Sequence, residues 1–177
     1  ARAWPHPVRP PRRIAERAWS AFCTTTRPSV RDLRQWDNGA MVRRRQNSVH
    51  SADTACPCGR GIPLGECCGV FLAGRSAPTA EQLMRSRYTA FVLGDVDYLR
   101  RTWHPSTRPA RLDLDPEQHW TGLEILHTTG GGFLHAEGTV EFRAHWTHAG
   151  VSDSMHEHSR FVRENGDWLY LDADGGR

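Results

Sequence analysis

Lysine is absent from this chain of 177 residues, so all 23 of its basic side chains are arginines. Long apolar runs are absent too, and no stretch approaches the roughly 20 apolar residues of a membrane-spanning helix. The first residues lack the apolar segment of a secretory signal, so we expect a cytoplasmic protein. A G-x-S-x-G nucleophile motif, a phosphate loop and a dinucleotide-binding fingerprint are also missing, which leaves these enzyme classes without support.

Cysteine is scarce, but four of the five cysteines fall within residues 56–68, as C-x-C, eight intervening residues and C-C. Four thiolates brought together in this way can close a tetrahedral shell around one metal ion. Gly59 and Gly61 follow the first pair and permit positive φ, which lets backbone amides turn toward the sulfurs. The predicted metal ligands are Cys56, Cys58, Cys67 and Cys68.

An all-sulfur ligand set favours zinc first and iron second. Because four protein ligands leave no open coordination position, the site is predicted to be structural or to serve recognition rather than catalysis. A cluster of disulfides or of separate buried thiols is the alternative interpretation. The missing secretory signal argues against disulfides, and the fifth cysteine, Cys23, lies far away in the sequence.

Charge is distributed unevenly along the chain. Residues 1–55 carry 11 arginines and 4 acidic side chains, a net charge of +7, whereas the remaining residues have a net charge of −4. Such a basic segment can bind nucleic acid or a membrane surface. We interpret residues 1–55 as a disordered leader rich in Arg and Pro, of which residues 1–40 are a candidate translated upstream region, with the working protein starting near Met41. We therefore expect neither nucleic acid nor a membrane as partner.

Residues 77–173 are predicted to begin with two helices. Thr79 and Gln82 form a capping box that starts the first helix, and Gly94 ends it. Asp95 can cap a second helix that continues to Trp103. Residues 74–78 form a linker between these helices and the cysteine motif, and we call residues 56–70 the knuckle.

After residue 116, the spacing of the apolar side chains changes from a helical period to a period of two residues. Residues 120–127, 139–146, 155–163 and 168–171 alternate apolar and polar side chains or form short apolar runs, as strands do. Asn165-Gly166 predicts a type I′ turn between the last two strands. Helices followed by antiparallel strands indicate an α+β fold, with a curved sheet packed on its N-terminal helices to form a cone.

Several motifs in residues 55–173 resemble those of the YchJ-like family. They are the cysteine motif at 56–69, APTAE at 77–81, MRSRY at 84–88, TWHPSTRP at 102–109, GLEI at 122–125, GTVEFR at 138–143, His156-Glu157 and Ser159-Arg160-Phe161. That family joins a SEC-C metal motif to a nuclear-transport-factor-2-like domain. The resemblance implies a metal-binding module on a cone-shaped α+β domain, and it implies no reaction.

The SEC-C motif is similar to the metal-binding tail of the translocase ATPase SecA, which contacts the chaperone SecB and ribosomes. The resemblance therefore implies a protein or ribosome partner for the knuckle. This chain departs from that tail at Cys68, where a histidine is typical. Ile62, Leu64 and Glu66 also stand where basic residues are common.

Seven residues are candidates for a pocket inside the cone: Arg87, Trp103, His104, Glu141, Arg143, Glu157 and Arg160. A glutamate beside a histidine can act as a general base if the pocket shifts their pKa values. The alternative is a cross-strand ladder of ion pairs that joins Glu141 and Arg143 to Glu157 and Arg160. His104 either belongs to a capped turn or lines the mouth of the cone with Arg108, where the two side chains bind an anion.

The sequence thus predicts a cytoplasmic metal-binding adaptor that uses its knuckle for protein interaction. A small-molecule-binding or enzymatic cone, with the knuckle as a structural or targeting module, is the alternative. The adaptor prediction rests on the closed four-thiolate set. The alternative depends on whether Glu141, His104 and Arg160 meet in one deep pocket.

Overall fold

The computed structural model describes residues 51–174, so the predictions for residues 1–50 and for Cys23 lie outside the described residues. The described elements are a short 3₁₀ turn (Leu64–Glu66), helices α1 (Gly69–Leu72), α2 (Ala80–Leu93) and α3 (Val96–Arg101), and strands β1 (Gln118–Gly130), β2 (Glu137–His148), β3 (Val151–Glu164) and β4 (Asp167–Ala173). None of the helices in this range is long and apolar enough to span a bilayer. The chain has the α+β order that the sequence predicts.

Helix α2 begins and ends at the predicted residues. The hydroxyl of Thr79 accepts a hydrogen bond from the backbone amide of Gln82, which satisfies one of the free donors of the first turn. Gly94 follows the helix with a φ of 70°, a conformation that favours glycine. Helix α2 is therefore defined by local signals at both ends.

Helix α3 is shorter than predicted. Asp95 caps it by accepting from the backbone amide of Tyr98, as expected, but the helix ends at Arg101. The prediction that it continues to Trp103 is wrong, because the chain there pairs with β4. The amide of Tyr170 donates to the carbonyl of Thr102, and Trp103 forms a parallel bridge with Tyr170.

The four strands form one antiparallel sheet in the order β1-β2-β3-β4, each paired with the next along the chain. Ala149 and Gly150 turn the chain between β2 and β3 with φ values of 49° and 79°. Asn165 and Gly166 connect β3 to β4 with φ values of 53° and 92°, so the predicted turn with two positive φ angles is confirmed.

Helix α2 covers one face of the sheet and contacts β1, β2 and β4. On β2, the side chains of Val140, Phe142 and Ala144 point into this layer and are fully buried, whereas the alternating residues face outward. We call α2, α3 and the four strands the main body. Its buried core includes Leu83, Met84, Tyr88, Tyr98, Leu99, Trp103, Phe161, Trp168 and Tyr170.

Candidate metal centre

The structure brings the four predicted metal ligands together. The sulfur atoms of Cys56, Cys58, Cys67 and Cys68 all lie within 4.8 Å of one another, and all four side chains are buried. The Sγ atoms of Cys58 and Cys67 are 3.5 Å apart, and all four thiols are free. A tetrahedral zinc site with Zn–S bonds of about 2.3 Å needs sulfurs about 3.8 Å apart. The spacing of this donor set therefore fits such an ion.

Backbone hydrogen bonds between residues close in the sequence hold the knuckle around the sulfurs. The amide of Cys56 donates to the carbonyl of Ile62 at 2.9 Å, and the amide of Gly59 donates to the carbonyl of Cys56 at 3.2 Å. Gly59 and Gly61 have φ values of 80° and 71°, as the sequence predicts. These turns return the chain toward the second cysteine pair.

Gly69 is required by a close approach of the backbone at the end of the knuckle. A Cβ atom at Gly69 would lie 2.6 Å from the carbonyl oxygen of Leu64, a separation that real side chains do not adopt. The amide of Cys67 donates to the same carbonyl at 3.1 Å. Gly69 therefore lets the chain pass close to Leu64 immediately after the last two cysteines.

The thiols of Cys56, Cys58 and Cys68 are electrostatically linked. The pKa of Cys56 is lowered, first because the thiols of Cys58 and Cys68 donate hydrogen bonds to its sulfur. Those bonds raise the pKa of Cys58 to about 12, and they also raise the pKa of Cys68. The backbone amide of Arg60 donates toward Cys58 and stabilises its thiolate. A cation shared by the sulfurs would replace these protons, which is how thiolate sites bind metal.

Two residues of α2 that the sequence analysis missed contact the knuckle. The hydroxyl oxygen of Thr89 lies 3.7 Å from the sulfur of Cys56. The guanidinium of Arg85 donates to the carbonyl of Cys58 at 3.1 Å. No local pattern could reveal these contacts, since Thr89 follows Cys56 by 33 positions.

The predicted pocket residue Arg87 lies at the centre of the main body and is fully buried. Its Nη1 atom donates to the carbonyl of Leu99 and to the hydroxyl of Thr102, both at 2.8 Å. Its guanidinium lies 4.7 Å from the ring centre of Tyr170 and 5.1 Å from that of Trp103. Burial lowers the pKa of Arg87 to about 10, so the side chain stays charged at neutral pH.

The predicted pocket residue Glu157 is 9% exposed and faces the same interior. Its carboxylate accepts hydrogen bonds from the hydroxyls of Ser159 at 2.5 Å and Tyr170 at 3.4 Å. Burial raises the pKa of Glu157 to about 7, although both hydrogen bonds and the charge of Arg87 oppose that rise. Alternation from Phe161 through Ser159 places Glu157 on the apolar face, so the sequence did contain a signal for this position.

The raised pKa of Glu157 predicts that the free energy of unfolding decreases as the pH rises. A carboxyl whose pKa is raised in the folded state contributes most below its unfolded pKa, and that contribution is lost as pH rises through about 7. We expect the unfolding free energy of the wild type, measured relative to Glu157→Gln, to fall by about 2–3 kcal/mol between pH 5 and pH 8. Urea unfolding of both proteins across this range measures the difference.

The groups whose charge or hydrogen bonds act on the Glu157 carboxyl are Ser159 on the same strand, Tyr170 and Asp172 from β4, and Arg87 from α2. Glu137→Gln, at an exposed position, is the matched control and is expected to leave the pH dependence of the wild type unchanged. A difference between wild type and Glu157→Gln that stays constant from pH 5 to pH 8 contradicts the prediction.

Glu141 and Arg143 lie on the opposite face of the sheet, away from Arg87 and Glu157. The carboxylate of Glu141 lies 2.7 Å from Nε2 of His156 on the neighbouring strand. Arg143 lies on the same face as Glu141 because the two residues are separated by two positions on β2. These two side chains therefore do not share a pocket with Arg87.

The predicted ladder of Glu141, Arg143, Glu157 and Arg160 is wrong. The register places Glu157 opposite Phe142, on the buried face, because β2 and β3 pair through a two-residue turn. Arg160 instead forms a bidentate ion pair with Asp172 of β4, with both N–O distances at 2.7 Å.

His104 and Trp103, also predicted for the pocket, end in different surroundings. Trp103 is buried against Tyr170, with ring centres 5.0 Å apart, and closes the core. The ring nitrogens of His104 lie 2.6 Å from the hydroxyl of Ser106 and 3.1 Å from the carboxylate of Glu164. These contacts fit the capped-turn interpretation of His104.

Two surface grooves lie elsewhere. A groove of about 210 Å³ lies between α1, α3 and the start of β4, and one of about 140 Å³ lies beside the first turn of α2. None of the seven predicted pocket residues lines either groove. Within the described part of the chain, the seven residues are therefore divided among the interior, the outer face of the sheet and the turn that contains His104.

Comparison with known proteins places these features in a wider group. Residues 79–173 match the family model described as YchJ, middle NTF2-like domain. A UPF0225 protein of Streptomyces coelicolor is 58% identical over 120 residues, which cover 67% of this chain and 94% of that protein. A UPF0225 protein of Chromobacterium violaceum is 50% identical over 129 residues, or 70% of this chain and 95% of that protein.

Two solved structures share the fold. A SEC-C motif containing protein from Rhodopseudomonas palustris has a TM-score of 0.62 and 36% identity, and the match covers 70% of this chain and all of that one. A SEC-C motif containing protein from Psychrobacter arcticus has a TM-score of 0.56 and 28% identity, covering 68% of this chain and 82% of that one. Both proteins contain a SEC-C motif and share the fold over 68–70% of this chain.

Proposed function

Since this chain belongs to the YchJ family of SEC-C motif proteins, we propose that it is a cytoplasmic metal-binding adaptor. The knuckle holds one ion through Cys56, Cys58, Cys67 and Cys68. Zinc is the first candidate for this thiolate set and iron the second. A reducing cytoplasm suits the function, because it keeps the thiols available as ligands.

The observation that carries this proposal is the closed set of four buried sulfurs within 4.8 Å of one another. An ion with four protein ligands has no open position for water or substrate, so it stabilises a loop instead of activating a reactant. The knuckle is too short to supply much apolar core without the ion. Metal binding therefore fixes the shape of the knuckle surface.

The knuckle has an exposed surface for a partner. Gly59, Arg60, Gly61 and Glu66 of the knuckle are exposed to solvent. The resemblance of this segment to the SecA tail supports a protein or a ribosome as the partner. With Arg60 as its positive side chain and Glu66 as its negative one, the knuckle carries little net charge, which disfavours direct binding to a nucleic-acid backbone.

Metal content of the full chain, purified without a metal-binding tag, tests the first half of the proposal. We expect one zinc or iron per wild-type chain by mass spectrometry, and less than about one tenth of an ion in Cys67→Ser/Cys68→Ser, because two thiolates hold such an ion poorly. Cys23→Ser is the matched control and is expected to keep the ion. Absence of metal from the wild type, or equal metal in the double variant, contradicts the assignment.

Sedimentation with ribosomes tests the second half of the proposal, that the knuckle binds a partner. We expect the metal-loaded wild type to sediment with ribosomes and Cys67→Ser/Cys68→Ser to stay in the supernatant, because the loop loses its shape without the ion. The same pair of proteins, used as bait for crosslinking, tests a protein partner. Equal recovery of partners by both forms contradicts an adaptor role for the knuckle.

A further inference from the structure

Thr89 lies where the main body meets the sulfur cluster. Its side chain is fully buried, and its hydroxyl oxygen lies 3.7 Å from the sulfur of Cys56. A hydroxyl of α2 therefore faces one of the four predicted ligands.

Two atoms near this hydroxyl compete as acceptors for its single proton. Within α2, the Thr89 hydroxyl lies 3.1 Å from the carbonyl of Arg85, the usual acceptor for a threonine inside a helix. A metal-bound thiolate has no proton and can only accept a hydrogen bond. When Cys56 binds metal, the contact at 3.7 Å therefore stabilises the site only if Thr89 donates to the sulfur.

Arg85 provides a second link, one turn earlier on the same helix. Its Nη1 atom donates to the carbonyl of Cys58 at 3.1 Å, while its Nε atom binds the carboxylate of Glu81 at 2.7 Å. The ion pair with Glu81 orients the guanidinium along the surface of α2. The first cysteine pair is thus held against α2 through one sulfur and one carbonyl.

We propose that Thr89 is a positioning residue of the metal centre, whose hydroxyl donates to the Cys56 thiolate while Arg85 fixes the adjacent Cys58 carbonyl. The main body then sets the metal affinity of the knuckle, because partners of the ligands orient them and tune their basicity. This inference rests on the proposed metal site. It adds that the affinity depends on side chains outside the cysteine motif.

Competition with a chromogenic chelator for Zn²⁺ measures the affinity of the full chain. We expect Thr89→Val, which keeps the shape and removes the donor, to bind zinc about 10–100-fold more weakly than wild type. Thr89→Ser keeps the donor and is expected to stay within about threefold of wild type. In the Co²⁺-substituted proteins, the thiolate-to-cobalt absorption band is expected to shift in Thr89→Val and to keep its position in Thr89→Ser.

Ser86→Ala controls for general destabilisation. Ser86 is buried on the same helix, with its hydroxyl 2.6 Å from that of Tyr98, so this change weakens the main body at a contact that involves none of the four cysteines. We expect Ser86→Ala to bind zinc as tightly as wild type. If Ser86→Ala and Thr89→Val lose affinity equally, the affinity follows overall stability, and the inference is wrong.

Arg85→Met is the second variant and covers the case in which Thr89→Val does not fold. We expect it to weaken zinc binding about tenfold, whereas Arg160→Met, the same change at an arginine on the outer face of the sheet, leaves the affinity within about threefold of wild type. If the wild type binds zinc, and Thr89→Val and Arg85→Met both bind it with wild-type affinity, the inference is wrong and the proposed function is unaffected. A wild type that binds no metal overturns both.

Discussion

Cys58→Ser is expected to remove the metal and unfold residues 56–68 while the main body stays folded. Among residues 56–68, the buried apolar side chains are the four cysteines and Leu64, so little apolar core remains once the ion is lost. The main body has its own core, built from α2, α3 and the sheet. The two parts are therefore expected to respond to the substitution separately.

Amide hydrogen exchange measures this separation. In Cys58→Ser, we expect the protected amides of residues 56–68 to exchange about 100-fold faster or more, whereas amides of β2 and β3 keep their wild-type protection. Cys23→Ser serves as the control for replacing a cysteine and is expected to match wild type in both regions. Stoichiometric tight metal in Cys58→Ser would refute the ligand assignment, and loss of protection in β2 and β3 would refute the independence of the main body.

Arg87→Met is expected to destabilise the protein by about 3–5 kcal/mol, because it removes the charged partner of a buried polar cluster. The guanidinium donates to Leu99 and Thr102 and lies against the rings of Trp103 and Tyr170. Methionine fills a similar volume but supplies none of the donors. The carbonyl of Leu99 and the nearby carboxyl of Glu157 then lose a favourable neighbour inside the core.

Arg160→Met is the matched control for this prediction. Arg160 forms a bidentate pair with Asp172, but the pair lies on the exposed face of the sheet, so its loss is expected to cost about 1 kcal/mol or less. Urea unfolding of both variants at pH 7 compares the two arginines. An Arg87→Met variant within 1 kcal/mol of wild type would show that the buried charge contributes little net stability.

Thr89 and Arg85 show why the site could be predicted only in part. The four cysteines are close in sequence, and Gly59 and Gly61 permit the turns between them, so the ligand cluster follows from local spacing. The outer contacts depend on how α2 docks on the knuckle. Docking is decided by packing between distant segments, and no periodicity within either segment encodes the relative position of the two.

The predicted pocket shows a different cause of error. Arg87 is one of the predicted pocket residues, and the structure instead encloses its side chain between Trp103 and Tyr170. Glu141 and Glu157 belong to opposite faces, since a strand alternates its faces at every residue and the turn at Ala149 and Gly150 fixes the register. Charge type alone could not distinguish these environments.

The sequence by itself determined the features whose physical cause is local. These features are the cysteine spacing, the cap at Thr79, the helix end at Gly94, the turn at Asn165 and Gly166, and the order of helices before strands. The tertiary structure alone decided which polar groups meet, placing Glu157 beside Tyr170 and Thr89 beside Cys56. Such contacts join positions far apart in the chain, and they exist only after strand register and helix docking bring those positions together.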